Sequence, residues 1–239
     1  MSHCPEESPA AKAPLFTPGE ACQAFTVMLL LNILAAAAMA QFDWPESVKG
    51  LAGTLLMDVS LLLGIALALS RRGLSWIESF GLQSRRWPRA AAIGILGCAI
   101  IFPLALVLHG ASNQLLIQWG FAVPEQPALN WLNLNRSPVF NVLFFLQAFL
   151  IAPFCEELFF RGLVMRTLIG RFSTAAAVLL SSLLFAVFHC HGPALVPLFA
   201  VAAGFALAYL YTRSLAAAFV MHAAYNLVNL VWMLVLPAA

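Results

Sequence analysis

Long apolar stretches, each closed by a short polar or basic segment, set the pattern of this chain. No Asp, Glu, Lys or Arg occurs in 21–42 (22 residues), 90–124 (35), 137–155 (19), 172–212 (41) or 214–239 (26). A membrane helix needs about 20 mainly apolar residues, so the pattern predicts several bilayer crossings. Spans are expected at about 21–41, 51–70, 89–109, 138–169, 173–190, 193–212 and 214–236. Asp58 interrupts the second of them. Gly110, Ser112, Asn113 and Gln114 are expected to end the third, which leaves Leu115–Val123 too short to cross and lying at the interface or re-entering. The run 172–212 must fold back, and His-Cys-His-Gly-Pro at 189–193 supplies the break, since proline disfavours helix at the residue before it. The expected fold is an all-α polytopic bundle of seven helices, or eight if 90–124 holds two. Residues 1–20 read as a polar tail and 21–239 as a single membrane domain, without internal repeats. The first apolar run begins near Ala21 and is long enough to span, so it reads as a retained helix rather than a cleaved signal.

Composition agrees. Only 9% of the 239 residues are charged and 62% are hydrophobic, with a mean hydropathy of +0.91, against about 25% charged in soluble domains. The net charge of +2, with no basic stripe interleaved with aromatics, implies no nucleic-acid partner. Five cysteines (Cys4, Cys22, Cys98, Cys155 and Cys190) form neither a disulfide framework nor a C-x-x-C metal pattern.

Orientation follows from Lys and Arg. A cytoplasmic N-terminus puts Lys12, Arg71, Arg72, Arg85, Arg86, Arg89, Arg161, Arg166, Arg171 and Arg213 at the inner face and leaves Lys49 and Arg136 outside. That bias favours an odd span count, with the C-terminus outside. Compact size and short loops suit a prokaryotic inner membrane.

Three acids lie within the apolar spans: Asp58, Glu156 and Glu157. A charge in the bilayer core costs about 2.5–3.5 kcal/mol on insertion scales, so each needs a reason. Glu157 and Arg161 are four apart with the acid N-terminal, the favourable order for a pair on one helix face. Glu156 points about 100° away and has no partner in its own helix. An acid left free in this way can serve as a general base. Glu157 and Arg161 read as a structural pair. His222 and Asn226, spaced i,i+4 in the last span, share a helix face and can both donate hydrogen bonds, as an oxyanion site requires. His189 ends the fifth span, Phe185 precedes it as packing, and neighbouring His191 serves the loop. Asp58 has no partner that the sequence names, and Cys155 shows no feature that would activate a thiol.

Glu156-Glu157-x-x-x-Arg161, Phe185-x-x-x-His189 and His222-x-x-x-Asn226, in that order on successive membrane helices, resemble the pattern of the CPBP family. These are the CAAX-protease and bacteriocin-processing intramembrane proteases, also called Abi proteins. The resemblance covers about 138–230. It implies that Glu156 with His189 activates a water, that His222 and Asn226 stabilise the tetrahedral intermediate, and that Glu157 and Arg161 support the site. It also implies a membrane-associated protein or peptide as substrate and no cofactor. Two alternatives stand beside it. One is a zinc protease with Glu156, His189 and His222 as ligands and a water in fourth place. The other is a non-catalytic transporter or immunity protein, although the inverted repeats and broken helices common in transporters are not evident.

Overall fold

The computed structural model describes residues 16–83, 85, 87–123 and 137–235, with side chains to 232. Most of the polar tail, with Lys12, and Arg86 and Arg136 lie outside the described residues. The elements are helices: α1 (Pro18–Met39), α2 (Glu46–Arg72), α3 (Trp76–Phe80), α4 (Trp87–Gln118), α5 (Pro138–Ile169), α6 (Thr174–Phe188), α7 (Leu195–Thr212, after a 3₁₀ turn at Gly192–Ala194) and α8 (Leu215–Val235). Six of them are long and apolar enough to cross a membrane: α1, α2, α4, α5, α7 and α8. The seventh apolar helix, α6, has 15 residues and so rises about 22 Å, short of a hydrocarbon core of about 30 Å. The helix that ends at His189 therefore falls short of a full crossing.

α4 differs from expectation. It runs without a break through Gly110–Gln114 to Gln118, so Leu115–Gln118 continues the helix instead of starting a separate segment. One glycine costs a helix only about 1 kcal/mol, and the polar residues around it do not stop helix propagation. The helix ends where Gly120 takes a left-handed φ of 80°.

Polar contacts fix the helix ends. Thr17 and Glu20 form a capping box at the start of α1, and Glu20 also accepts from Arg72 Nε at 2.7 Å. Beside it, Arg71 donates to Gln23 at 2.9 Å, so the end of α2 is tied to the start of α1. The short α3 closes at Gly81 (φ 65°), which lies so near the turn after α7 that a Cβ there would meet the Arg213 carbonyl at 2.5 Å. Ser214 Oγ donates to the Gly81 carbonyl at 2.8 Å across the same contact.

Inside, small residues let helices approach. On α8, Ala216, Ala217 and Ala218 are fully buried, and a Cβ on Gly94 of α4 would stand 2.8 Å from the Ala217 carbonyl. Such close contact is how membrane helices gain dispersion energy where lipid offers no hydrophobic drive between them. Outside, Ile100, Val107 and Val139 are 76%, 69% and 69% exposed. An apolar exterior of this kind faces lipid rather than water. Charge is handled the other way round: Arg161 is fully buried inside the bundle.

Candidate active site

α5 is the axis of the site, with α2, α6 and α8 packed around it. Pro138 opens it behind the Ser137 cap, and a second proline, Pro153, shapes its middle. Proline offers no N–H and its ring crowds the preceding turn. The turn Gln147–Ile151 widens accordingly into π geometry, with Ala152 N–H bonded to the Gln147 carbonyl five residues back. In that register the next carbonyl, Ala148, falls to Pro153, which has nothing to donate. Asn226 of α8 makes good the loss: its Nδ2 donates to Ala148 O at 2.9 Å. A second wide turn, Leu158–Met165, follows the short α segment Ala152–Glu157. Gly162 lies in it with Phe80 of α3 pressed against it, so close that a Cβ would meet the ring at 2.5 Å. π turns recur at functional sites because they re-aim side chains within a helix.

Glu157 and Arg161 pair as expected, at 2.9 Å with both side chains fully buried. Glu157 does more than that. The same oxygen, Oε1, accepts from His222 Nδ1 at 2.9 Å, while Oε2 has no partner. Arg161 also donates to the Ala202 carbonyl at 2.6 Å, leaves its Nε without a partner, and lies over the rings of Phe185 and Phe205 at 5.0 and 5.3 Å. His222 stacks on Phe205 at 4.6 Å. Its ring is thus fixed on one edge and one face, and Nε2 points to Glu156, 3.9 Å from Oε2. That oxygen of Glu156 is buried and makes no hydrogen bond.

His189 caps α6, and its Nδ1 bonds the Phe185 carbonyl at 2.8 Å. A carbonyl only accepts, so Nδ1 carries the proton and Nε2 of the neutral ring is a free acceptor. Among the described residues no hydrogen bond or ion pair joins Glu156 to His189; the imidazole brought to Glu156 is that of His222. The two histidines meet across Phe185, whose ring centroid is 4.5 Å from His189 and 5.7 Å from His222. Phe185 packs, as expected, but its neighbours are both imidazoles and the buried guanidinium. His191 closes the 3₁₀ turn through its carbonyl. Cys155 is buried at 1% exposure. Among the described residues no group of three His, Cys, Asp or Glu gathers as a metal site.

Several participants escape sequence reasoning. Gln147 donates to Asp58 and was visible as a polar residue in a charge-free stretch, though its partner was not. Phe205 and the carbonyls of Ala148 and Ala202 carry no sequence signal at all.

Residues 138–228 match a family model described as Rce1-like, type II CAAX prenyl endopeptidase. No curated protein and no solved structure matches the chain.

Proposed function

We propose that this chain, whose residues 138–228 are those of a CPBP-family CAAX-type membrane protease, is an endopeptidase that hydrolyses a peptide bond of a membrane-associated protein or peptide with Glu156 as its base. The observation that carries the proposal is the unpartnered Glu156 oxygen facing His222 Nε2 at 3.9 Å. The gap is wider than a direct hydrogen bond and suits a reacting atom shared between the two groups.

Glu156 takes a proton from a water that His189 Nε2 helps to hold, and the hydroxide adds to the substrate carbonyl carbon. The resulting oxyanion accepts from His222 Nε2–H and from Asn226 Nδ2, which carries two hydrogens and needs only one for Ala148. In this step His222 acts as an imidazolium, both ring N–H groups donating, with Glu157 as its counter-ion. Collapse of the intermediate breaks the C–N bond, and the proton on Glu156 passes to the leaving amine. Preorganised donors of this kind stabilise charge where it develops, in a site with little water. The reaction in this form uses no metal. The N-terminus lies in the cytoplasm and the substrate reaches the site from the bilayer.

The test is the purified chain in detergent with a library of internally quenched peptides, prenylated CAAX peptides among them. Glu156→Gln is expected to abolish cleavage while thermal unfolding is unchanged. Turnover retained in that variant excludes Glu156 as the base.

A further inference from the structure

Asp58 is the one intramembrane acid that the proposed chemistry leaves unused. It lies in the middle of α2 and is fully buried, where α2 packs on Gln147–Ile151 and Ala152–Glu157 of α5. Gln147, at 4% exposure, donates from Nε2 to Asp58 Oδ2. What remains on the two side chains is one oxygen each, Asp58 Oδ1 and Gln147 Oε1, and both are buried without a partner.

An ionised carboxylate only accepts, and so does an amide oxygen. A charged Asp58 would therefore leave two neighbouring acceptors unsatisfied in a lipid-enclosed interior, each at the cost of an unmade hydrogen bond. One proton removes both faults. Placed on Oδ1 it donates to Gln147 Oε1, while Oδ2 continues to accept from Nε2, and the two groups close a cyclic acid–amide pair. The surroundings agree: among the described residues no Lys or Arg pairs with Asp58, and the ionisable groups that interact with it, Cys155 and Glu156, carry no positive charge. A second carboxylate charge close to Glu156 would be repelled.

We propose that Asp58 is held as a neutral carboxylic acid in a cyclic pair with Gln147, and that this pair positions the protease site. Gln147 begins the wide turn whose Ala148 carbonyl is bonded to Asn226, and that turn leads directly into the segment bearing Glu156. Asp58 thus fixes, from α2, the register in which α5 presents its base. The protonation state stands on the hydrogen-bond geometry and the lack of a paired cation; the positioning role rests on the reading of Glu156 given above.

The experiment uses the full chain and separates the two parts. Infrared spectra of Glu156→Gln and of Glu156→Gln with Asp58→Asn are subtracted at neutral pH, both proteins being catalytically silent. The difference is expected to contain one protonated-carboxyl carbonyl band belonging to Asp58; its absence means that Asp58 is ionised and overturns the acid–amide pair. In the active background, Asp58→Asn supplies the same donor and acceptor as the neutral acid and is expected to keep kcat. Asp58→Leu and Gln147→Leu lose up to about 10²-fold in kcat, the effect of a small misplacement, with KM little changed. The exchange Asp58→Asn with Gln147→Glu regenerates the pair in mirror image and restores turnover. Loss in Asp58→Asn as deep as in Asp58→Leu, or full activity in Asp58→Leu, refutes the positioning role. If Glu156→Gln itself retains turnover, the assignment of the base fails while the infrared result stands.

Discussion

Glu157→Gln offers a clean test of the shared oxygen at the centre of the site. Oε1 of Glu157 accepts from Arg161 and from His222, both at 2.9 Å, while Oε2 has no partner. The NH₂ of glutamine can occupy the Oε2 position without meeting a donor, so the exchange removes a charge and leaves the geometry. Removing one partner of a buried ion pair costs about 3–5 kcal/mol. Arg161 keeps the Ala202 carbonyl and two aromatic faces, each face contributing about 0.5–2 kcal/mol, which places the loss near the lower end, about 3 kcal/mol. For a chain of this size that is a fall in Tm of about 6–12 °C. His222 simultaneously loses its counter-ion as it receives the oxyanion, and kcat is expected to fall by about 10²–10³, the scale of one oxyanion donor. Unfolding can be followed by a thiol-reactive dye that reaches buried Cys98 and Cys155 only when the bundle opens, in a background with Cys4, Cys22 and Cys190 changed to serine. Turnover is measured at a temperature where both proteins are folded. A lower Tm with normal kcat reduces Glu157 to a structural partner of Arg161; no change in either quantity refutes the shared-oxygen account.

Three further outcomes are expected. Asn226→Ala leaves the Ala148 carbonyl without a donor and should cost about 1–3 kcal/mol of stability as well as turnover; unchanged unfolding would mean that the bond does not tie α8 to α5. Gly162→Ala drives a methyl into Phe80, and is expected to destabilise by about 1–3 kcal/mol, with Phe80→Leu added to it recovering most of the loss. The same thermal scan reads both. Treatment with a strong chelator should leave cleavage intact, and activity lost to chelation and regained with zinc would refute the metal-free reaction.

The bundle is legible in the sequence because charge is so costly in lipid that its absence marks each span. Where that signal thins, the reading slips: Gly110 and its polar neighbours look like a helix end, yet only Gly120, with its left-handed backbone, stops α4. Arg161 is fully buried, and its second partner, the Ala202 carbonyl, carries no sequence signal. The Glu157–Arg161 pair follows from spacing within one helix. The bond from Glu157 to His222 crosses 65 residues, and no local pattern encodes it. Likewise Asn226 shows its face but not its partner, because the carbonyl it meets is freed by a wide turn that only Pro153 foreshadows.

Those wide turns give α5 an asymmetric tolerance to change. Each holds one residue more than a regular turn would use, so trimming a single residue from Gln147–Ile151 should let the chain relax into ordinary helix. Everything downstream would then keep its facing helices, because the wide turn has already absorbed the roughly 100° by which one added residue turns a regular helix. Length within that stretch is thus more open to change than in Pro138–Leu146, where a one-residue deletion would swing both glutamates by about 100°.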